Sequence, residues 1–438
     1  MLNLFQLPIR RFPEGFLWGA ATAGHQVEGN DYASQYASRE RQCPEMFDEP
    51  AGMACNSWEL FEQDVALLRE LGLKAYRMSV EWSRIEPNEG CHDEAALERY
   101  LQMLRSLRRQ GLHVMVTLHH FSHPQWFEAH GGFSREENLK YFTRHLEFLV
   151  PAIAAEVDSW CTLNEFNVAV QPTPEAIALK VNRLKAHALA YRIVHRHSSA
   201  PVSAAHALLP REPLRPNDPM DMALARLQEW MCNGFFFHAV RTGEIVLPYR
   251  QAENFPELKG SADFWGVNYY HRMLADARMA TGEGTRLPQG RLVPINPHGS
   301  TRLLRSDWER EMTPENFTHA LAGLKDRPVW ITENGFPCAD DRLRILYLAA
   351  HLEALHEAME LYGVKVQGYF HWSLMDNYEW RSFVPQFGLA TVDRRSFVRT
   401  PKPSGWFYRR IVEQNALSGK MLTEALPDFP CLTLFDAP

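Results

Sequence analysis

The sequence predicts an α/β protein, a single (β/α)8 barrel over residues 1–438 with loop insertions at its C-terminal face, and three observations carry that prediction. Eight short apolar runs alternate with longer stretches of helical spacing, the rhythm that parallel pairing demands because each crossover needs about a dozen residues or more. No G-x-G-x-x-G opens the first helix, as an open dinucleotide-binding sheet requires; Gly282 and Gly284 fall in a later loop without that context. No internal repeat recurs at a fixed period, and a chain of 438 residues fits one barrel with insertions.

Taken in order, the runs read as buried strands span 16–23, 73–79, 113–119, 157–163, 202–207, 264–269, 329–332 and 366–370. Between the first two, Leu60, Val65, Leu68 and Leu71 keep helical spacing and Gly72 follows as a stop. Thr313-Pro314-Glu315 reads as a helix start. The hydroxyl accepts an orphan N–H, proline occupies a position whose donor goes unused, and the glutamate opposes the dipole. The stretch 276–310 is punctuated by glycine and proline, too polar for core and too long for a simple connection, so it reads as an excursion at the barrel rim.

Composition narrows the function classes. With 45% hydrophobic and 23% charged residues the chain is globular rather than disordered, collagen-like or coiled-coil. Its 46 basic and 53 acidic residues leave −7, and no long basic run occurs, which argues against a nucleic-acid partner. No stretch of about 18 apolar residues predicts a membrane span. Residues 1–15 hold Arg10, Arg11 and two prolines but no apolar run of signal-peptide length. The seven cysteines (43, 55, 91, 161, 232, 338 and 431) are odd in number, scattered and never spaced C-x-x-C, a pattern expected of reduced thiols in a cytoplasmic enzyme. Twelve Trp, 14 Tyr and 25 Phe supply flat apolar faces with polar tips, suited to ligands that are partly apolar and partly hydroxylated.

A barrel of this kind places reacting groups where strands end. The first strand is followed by Gln26 and Glu28, and the second contains Arg77. The third ends in His119-His120 with His123 nearby, the fourth in Asn164-Glu165, the sixth in Asn268-Tyr269-Tyr270 and the seventh in Glu333-Asn334. The eighth leads through Trp372 to Asp376, Glu379 and Trp380. Carboxylates ending the fourth and seventh strands face each other across the barrel mouth, an arrangement suited to glycoside hydrolysis. His119, His120 and His123 do not match zinc spacing, and two carboxylates supply acid, base and nucleophile, so neither metal nor cofactor is expected. Glu28 and Glu81 read as structural, and Asp376-Asn377 as loop-forming.

The segments FLWGAATAGHQVEG, YRMSVEWSRIEP, TLHHFSHPQWF, WCTLNEF, DFWGVNYY, VWITENGF and GYFHWSLMDNYEW resemble, in order from about residue 12 to 411, the signatures of the family 1 glycoside hydrolases. The resemblance implies a retaining exo-β-glycosidase acting on a small-molecule β-glycoside, with Glu165 as acid/base and Glu333 as nucleophile. It further implies hydroxyl-binding roles for Gln26, His120, Asn164, Glu379 and Trp380, and a stacking platform at Trp372. Arg77 and Tyr270 are the neighbours expected to favour the charged form of Glu333, while Asn268 is a further expected ligand.

The chain departs from the family pattern in four places. Phe166, not proline, follows Glu165; the segment 167–175 is shorter and lacks a glycine-rich loop; 381–386 differs and is one residue shorter; Asn56-Ser57-Trp58-Glu59 lacks a His/Tyr cluster. The family's 6-phospho-β-glycosidases typically carry Ser and Lys in the loop after the eighth strand and no acid where Glu379 stands. A carboxylate there repels a phosphate, so a non-phosphorylated glycone is expected. A transglycosidase using the same intermediate, a 6-phospho-β-glycosidase and an inactive carbohydrate-binding protein are the alternative readings.

Overall fold

The computed structural model describes residues 4–168, 173–280, 306–308 and 310–427. Eight parallel strands close into a barrel: β1 (Leu17–Ala21), β2 (Ala75–Ser79), β3 (His113–Thr117), β4 (Ser159–Asn164), β5 (Val202–Ala207), β6 (Trp265–Tyr269), β7 (Val329–Asn334) and β8 (Val366–Trp372). Each pairs with its successor in the chain and β8 pairs with β1. The predicted runs and the strands agree in number and order. The third stops at Thr117, which leaves His119 and His120 on the loop at its end, whereas β7 and β8 run on to include Glu333 and Trp372.

Helices cover the outside, the principal crossovers being α1 (Ser57–Glu70), α2 (Glu94–Arg109), α3 (Leu139–Ile153), α4 (Pro174–His197), α5 (Phe235–Thr242), α6 (Pro314–Leu321), α7 (Asp341–Tyr362) and α8 (Pro403–Gln414). α2 shows how the sequence builds one. Asp93 caps it through Ala95 and Ala96 N–H groups, Arg108 and Arg109 close its last turn, and Tyr100, Met103, Leu104 and Leu107 recur on the buried face. Inside the barrel the strands contribute a separate apolar layer that includes Ala21, Ala75, Met115, Cys161, Ala205 and Phe370. Three of these six are alanines, the size that inward faces of a closed barrel accommodate.

Two local expectations are corrected. Leu60 is half-buried and has non-helical angles (φ −103°, ψ 25°), so α1 is kinked there and its regular apolar stripe starts later; Gly72 does stop it, at φ +67°. Thr313 precedes α6 but caps nothing, because its hydroxyl is taken by the Tyr269 hydroxyl at 3.0 Å and the Arg272 N–H at 3.1 Å. Of the predicted excursion, residues 281–305 and 309, with Gly282 and Gly284, lie outside the described residues, as does Cys431. Just before it, Met273–Ala275 forms a short parallel pair beside Arg211–Pro213, which ties the loops after β5 and β6 together at the rim.

Candidate active site

Register brings the polar residues to one level. Asn268 lies opposite Glu333, Asn334 opposite His371, Trp372 opposite Ala21, and Ala21 opposite Arg77. A cavity of about 290 Å³ opens at this end, lined among others by Gln26, His120, Asn164, Glu165, Glu333 and Glu379.

Glu333 is buried and held at both oxygens: Arg77 Nη1 donates to Oε1 at 2.6 Å and the Tyr270 hydroxyl to Oε2 at 2.6 Å. Arg77, itself fully buried, also donates through Nη2 to Asn164 Oδ1 at 2.6 Å and through Nε to Thr117 Oγ1 at 3.0 Å. The simple ion pairs open to Arg77 are not formed, since Asp64 pairs with Arg399 and Glu81 bonds Ser79 and Ser122. Burial raises the Glu333 carboxyl above its ordinary range against the opposing pull of Arg77 and Tyr270. As expected, these two donors favour the charged form, although desolvation is the larger effect.

Glu165 sits just past β4 with its backbone in the left-handed region at φ +42°. Asn268 Nδ2 donates to its Oε1 at 3.0 Å and to Asn164 Oδ1 at 3.1 Å. Thr332 sets that orientation by donating its hydroxyl to Asn268 Oδ1 at 2.6 Å, so the amide nitrogen faces the carboxyl. Burial, then the Glu333 charge, push Glu165 up to about 8. Two carboxyls in one cavity therefore differ in what bonds them among the described residues: one accepts from a guanidinium and a phenol, the other from an amide.

The remaining expected residues gather on the side built by β1, β3 and β8. Gln26 Nε2 donates to Asn377 Oδ1 at 2.9 Å, the Tyr378 carbonyl at 2.9 Å and Glu379 Oε2 at 3.2 Å, while its own Oε1 is buried without a protein partner. Trp372 Nε1 donates to Glu379 Oε1 at 3.2 Å, and burial pushes that carboxyl up to about 8. The Asn164 amide bonds His120 Nε2 at 3.1 Å, which leaves the ring proton on Nδ1, again buried and unpartnered. His120 stacks at 5.6 Å on Trp372 and at 6.0 Å on Trp380, which also packs against Tyr36, Phe121 and His25 at 4.9, 5.1 and 5.7 Å. His119 and His123 bond each other at 3.3 Å, and His123 bonds Glu128 at 3.0 Å. Among the described residues no three metal-ligating side chains converge.

Several contributors escape sequence reasoning. Asn377 orients Gln26, while Asp376 pairs with Lys402, consistent with the loop-forming reading. β5 supplies no polar group; its end gives the apolar wall Ala207 and Leu209. Phe166, in place of proline, is buried against His206, Phe235 and Phe236, so it packs the turn onto α5. Residues 169–172 of the shortened segment lie outside the described residues.

The family model of glycosyl hydrolase family 1 matches residues 9–417. A β-galactosidase of Pyrococcus woesei is 29% identical over 95% of this chain and 99% of its own length. A 6-phospho-β-galactosidase of Leptotrichia buccalis is 28% identical over 92% and 99%. The solved β-glycosidase of Pyrococcus horikoshii superposes with a TM-score of 0.82 at 33% identity, covering 95% of this chain and 98% of that one. A closed barrel, two carboxyls in one polar pocket at its mouth and a family match spanning the barrel lead to one conclusion: the chain belongs to glycosyl hydrolase family 1 and is a glycoside hydrolase.

Proposed function

We propose that this protein is a retaining exo-β-glycosidase that removes terminal non-reducing β-D-glucosyl or closely related residues through a covalent glycosyl-enzyme. The observation that carries the reading is the pair of unlike carboxyl environments: Glu333 clamped by Arg77 and Tyr270, Glu165 protonated to about 8 beside it. A Glu333 oxygen attacks the anomeric carbon while the bond to the leaving oxygen breaks, and that oxygen takes the Glu165 proton. Esterification removes the Glu333 charge that raised Glu165, which then accepts a proton from water as the water displaces Glu333. Two inversions return the β anomer. Asn164, bonded to Arg77 and Asn268, is suited to hold a sugar hydroxyl near the reacting carbon.

The unpartnered Gln26 Oε1 and His120 Nδ1 match a polyol that brings donors and acceptors of its own, and Trp372 and Trp380 offer indole faces. Glu379 supports an unphosphorylated glycone. Its carboxyl is held by Trp372 and Gln26, with no cation among the described residues bonded to it, whereas a 6-phosphate requires one. The substrate is thus a small β-glycoside, the whole match forms one barrel domain, and the six free cysteines among the described residues fit a reducing cytoplasm. Among the described residues no helix is long and apolar enough to cross a membrane.

A panel of aryl β-glycosides, with the anomer of the first-formed sugar followed by NMR, tests the reading. First release of the β anomer and preference for a gluco- or galacto-configured free sugar are expected; first release of the α anomer overturns retention.

A further inference from the structure

Opposite the glycone side, the cavity rim carries positive charge that no carboxylate among the described residues neutralises. Gln26, Trp372 and Glu379 come from the ends of β8 and β1. Across the ring, the ends of β5 and β6 contribute Leu209 and His271, with Arg310 beside them in the same cavity wall. Among the described residues Arg310 Nη1 reaches only the Met273 sulfur, at 3.8 Å. Met273 is strand-paired with Arg211, whose Nη2 reaches only the Cys232 sulfur, at 3.3 Å, and whose Nε is buried without a partner.

Of the acids adjacent in sequence, Glu309 lies outside the described residues and the other two are already committed. Glu212 and Glu311, each next to one of these arginines, both pair with Arg272, at 2.5 and 2.9 Å. Glu229 accepts from the Arg211 backbone N–H at 3.0 Å, not from its guanidinium. Among the described residues neither Arg310 nor Arg211 forms a salt bridge. Burial and the Arg211 charge depress Arg310 below its ordinary value, and burial followed by the Arg310 charge takes His271 down to about 4, so the imidazole is neutral. Two unpaired guanidiniums sharing a half-buried rim cost free energy that an arriving anion recovers.

We propose that Arg310, backed by Arg211, is a specificity site for an anionic leaving group: an aglycone with an apolar stem against Val168, Ala207 and Leu209 and a carboxylate at its far end. The inference rests on the hydrolase reading and deepens it by naming the aglycone class. It concerns the half of the cavity away from Glu379, so it is separate from recognition of a phosphorylated glycone.

The test compares 3-carboxyphenyl β-D-glucoside with its uncharged 3-carbamoylphenyl counterpart in the wild type, Arg310→Gln and Arg310→Lys. The carboxylate-to-carboxamide ratio of kcat/KM is expected to fall about tenfold in Arg310→Gln and to be largely retained in Arg310→Lys, because the leaving-group chemistry cancels in the ratio. In the wild type, the KM of the carboxylate alone is expected to rise several-fold between about 20 and 500 mM salt, a measurement that needs no variant. A ratio unchanged in Arg310→Gln, or a carboxylate KM indifferent to salt, overturns the proposal. Hydrolysis of the carbamoyl glucoside with no charge discrimination sinks this inference alone; cleavage of neither glucoside nor of the corresponding galactosides sinks the glycosidase reading beneath it.

Discussion

At the scale of single residues, the two glutamates differ by what their oxygens touch. Glu333 accepts from Arg77 and Tyr270, and Glu165 from Asn268. Glu333→Gln is expected to abolish hydrolysis of all β-glycosides while thermal unfolding stays near the wild type. Glu165→Gln is expected to slow poor leaving groups by roughly 10²–10⁴-fold and activated aryl glycosides much less, since only the former need a proton. Equal losses on both would remove Glu165 from that role. The kcat/KM profile should fall on the alkaline side near pH 8, as Glu165 loses its proton. Arg77→Lys withdraws part of the pull that keeps Glu333 charged, so the acid limb moves to higher pH and the bell narrows; an unmoved acid limb would contradict the clamp. The carboxylates, Arg77 and Tyr270 are legible from residue type and position at strand ends. Thr332 and Asn377 are not, because their effect is to orient Asn268 and Gln26 through contacts between distant strands.

At the scale of elements, loops rather than strands decide how the side chains are aimed. Glu165, Phe121 and Trp380 all line the cavity with left-handed backbones (φ +42°, +67° and +64°), a conformation that costs a non-glycine residue of order 1 kcal/mol. The turn bearing Glu165 is held by Asn167. Its Nδ2 donates to the Ala207 and Cys232 carbonyls at 2.7 and 2.9 Å, and its Oδ1 accepts the Ala207 N–H at 3.1 Å. Asn167→Ala leaves those groups unpaired in the interior and is expected to cost ~1–3 kcal/mol and to lower kcat, measured by denaturant unfolding and steady-state kinetics. Gly335, after β7, is a position where close approach forbids a side chain: a Cβ there meets the Trp372 carbonyl. Gly335→Ala is expected to displace β8 from β7, with loss of ~1–3 kcal/mol and of most activity; a fully active, equally stable variant would refute the contact. Apolar runs announce the strands because their burial on both faces needs long apolar stretches. The left-handed turns leave no such trace, since none of the three residues is glycine.

For the whole molecule, the buried ionisable groups make stability depend on pH. His25, His206, His351 and His371 are driven to about 3, and His187 and His271 to about 4, by burial first in each case. The unfolded chain binds protons below pH 6.5 that these six folded imidazoles refuse, so stability falls as pH drops below that value, by up to ~1.4 kcal/mol per pH unit per group. Glu81, Glu165 and Glu379 are pushed by burial to about 8, above their ordinary 4.5. Their folded forms keep protons the unfolded chain has lost, so stability falls as pH rises from 4.5 through about 8. The two effects oppose each other below pH 6.5; between 6.5 and about 8 the imidazoles are neutral in both states and the carboxyl effect remains. Melting temperatures are therefore expected to fall between about pH 6.5 and 8; a curve still rising through pH 8 would contradict this.

The amino-acid sequence by itself determined the barrel, the order of its eight strands, the family and the identity of the polar residues at its mouth. Each of these follows from local pattern: apolar runs, crossover lengths and motifs confined to one strand end. Tertiary structure alone decided which Glu333 oxygen meets which donor, that desolvation outweighs those donors, that Thr313 serves Tyr269 instead of α6, and that among the described residues Arg310 and Arg211 form no salt bridge while Arg272 takes Glu212 and Glu311. Burial and pairing depend on atoms brought together from distant parts of the chain, and no local spacing encodes which partner arrives first.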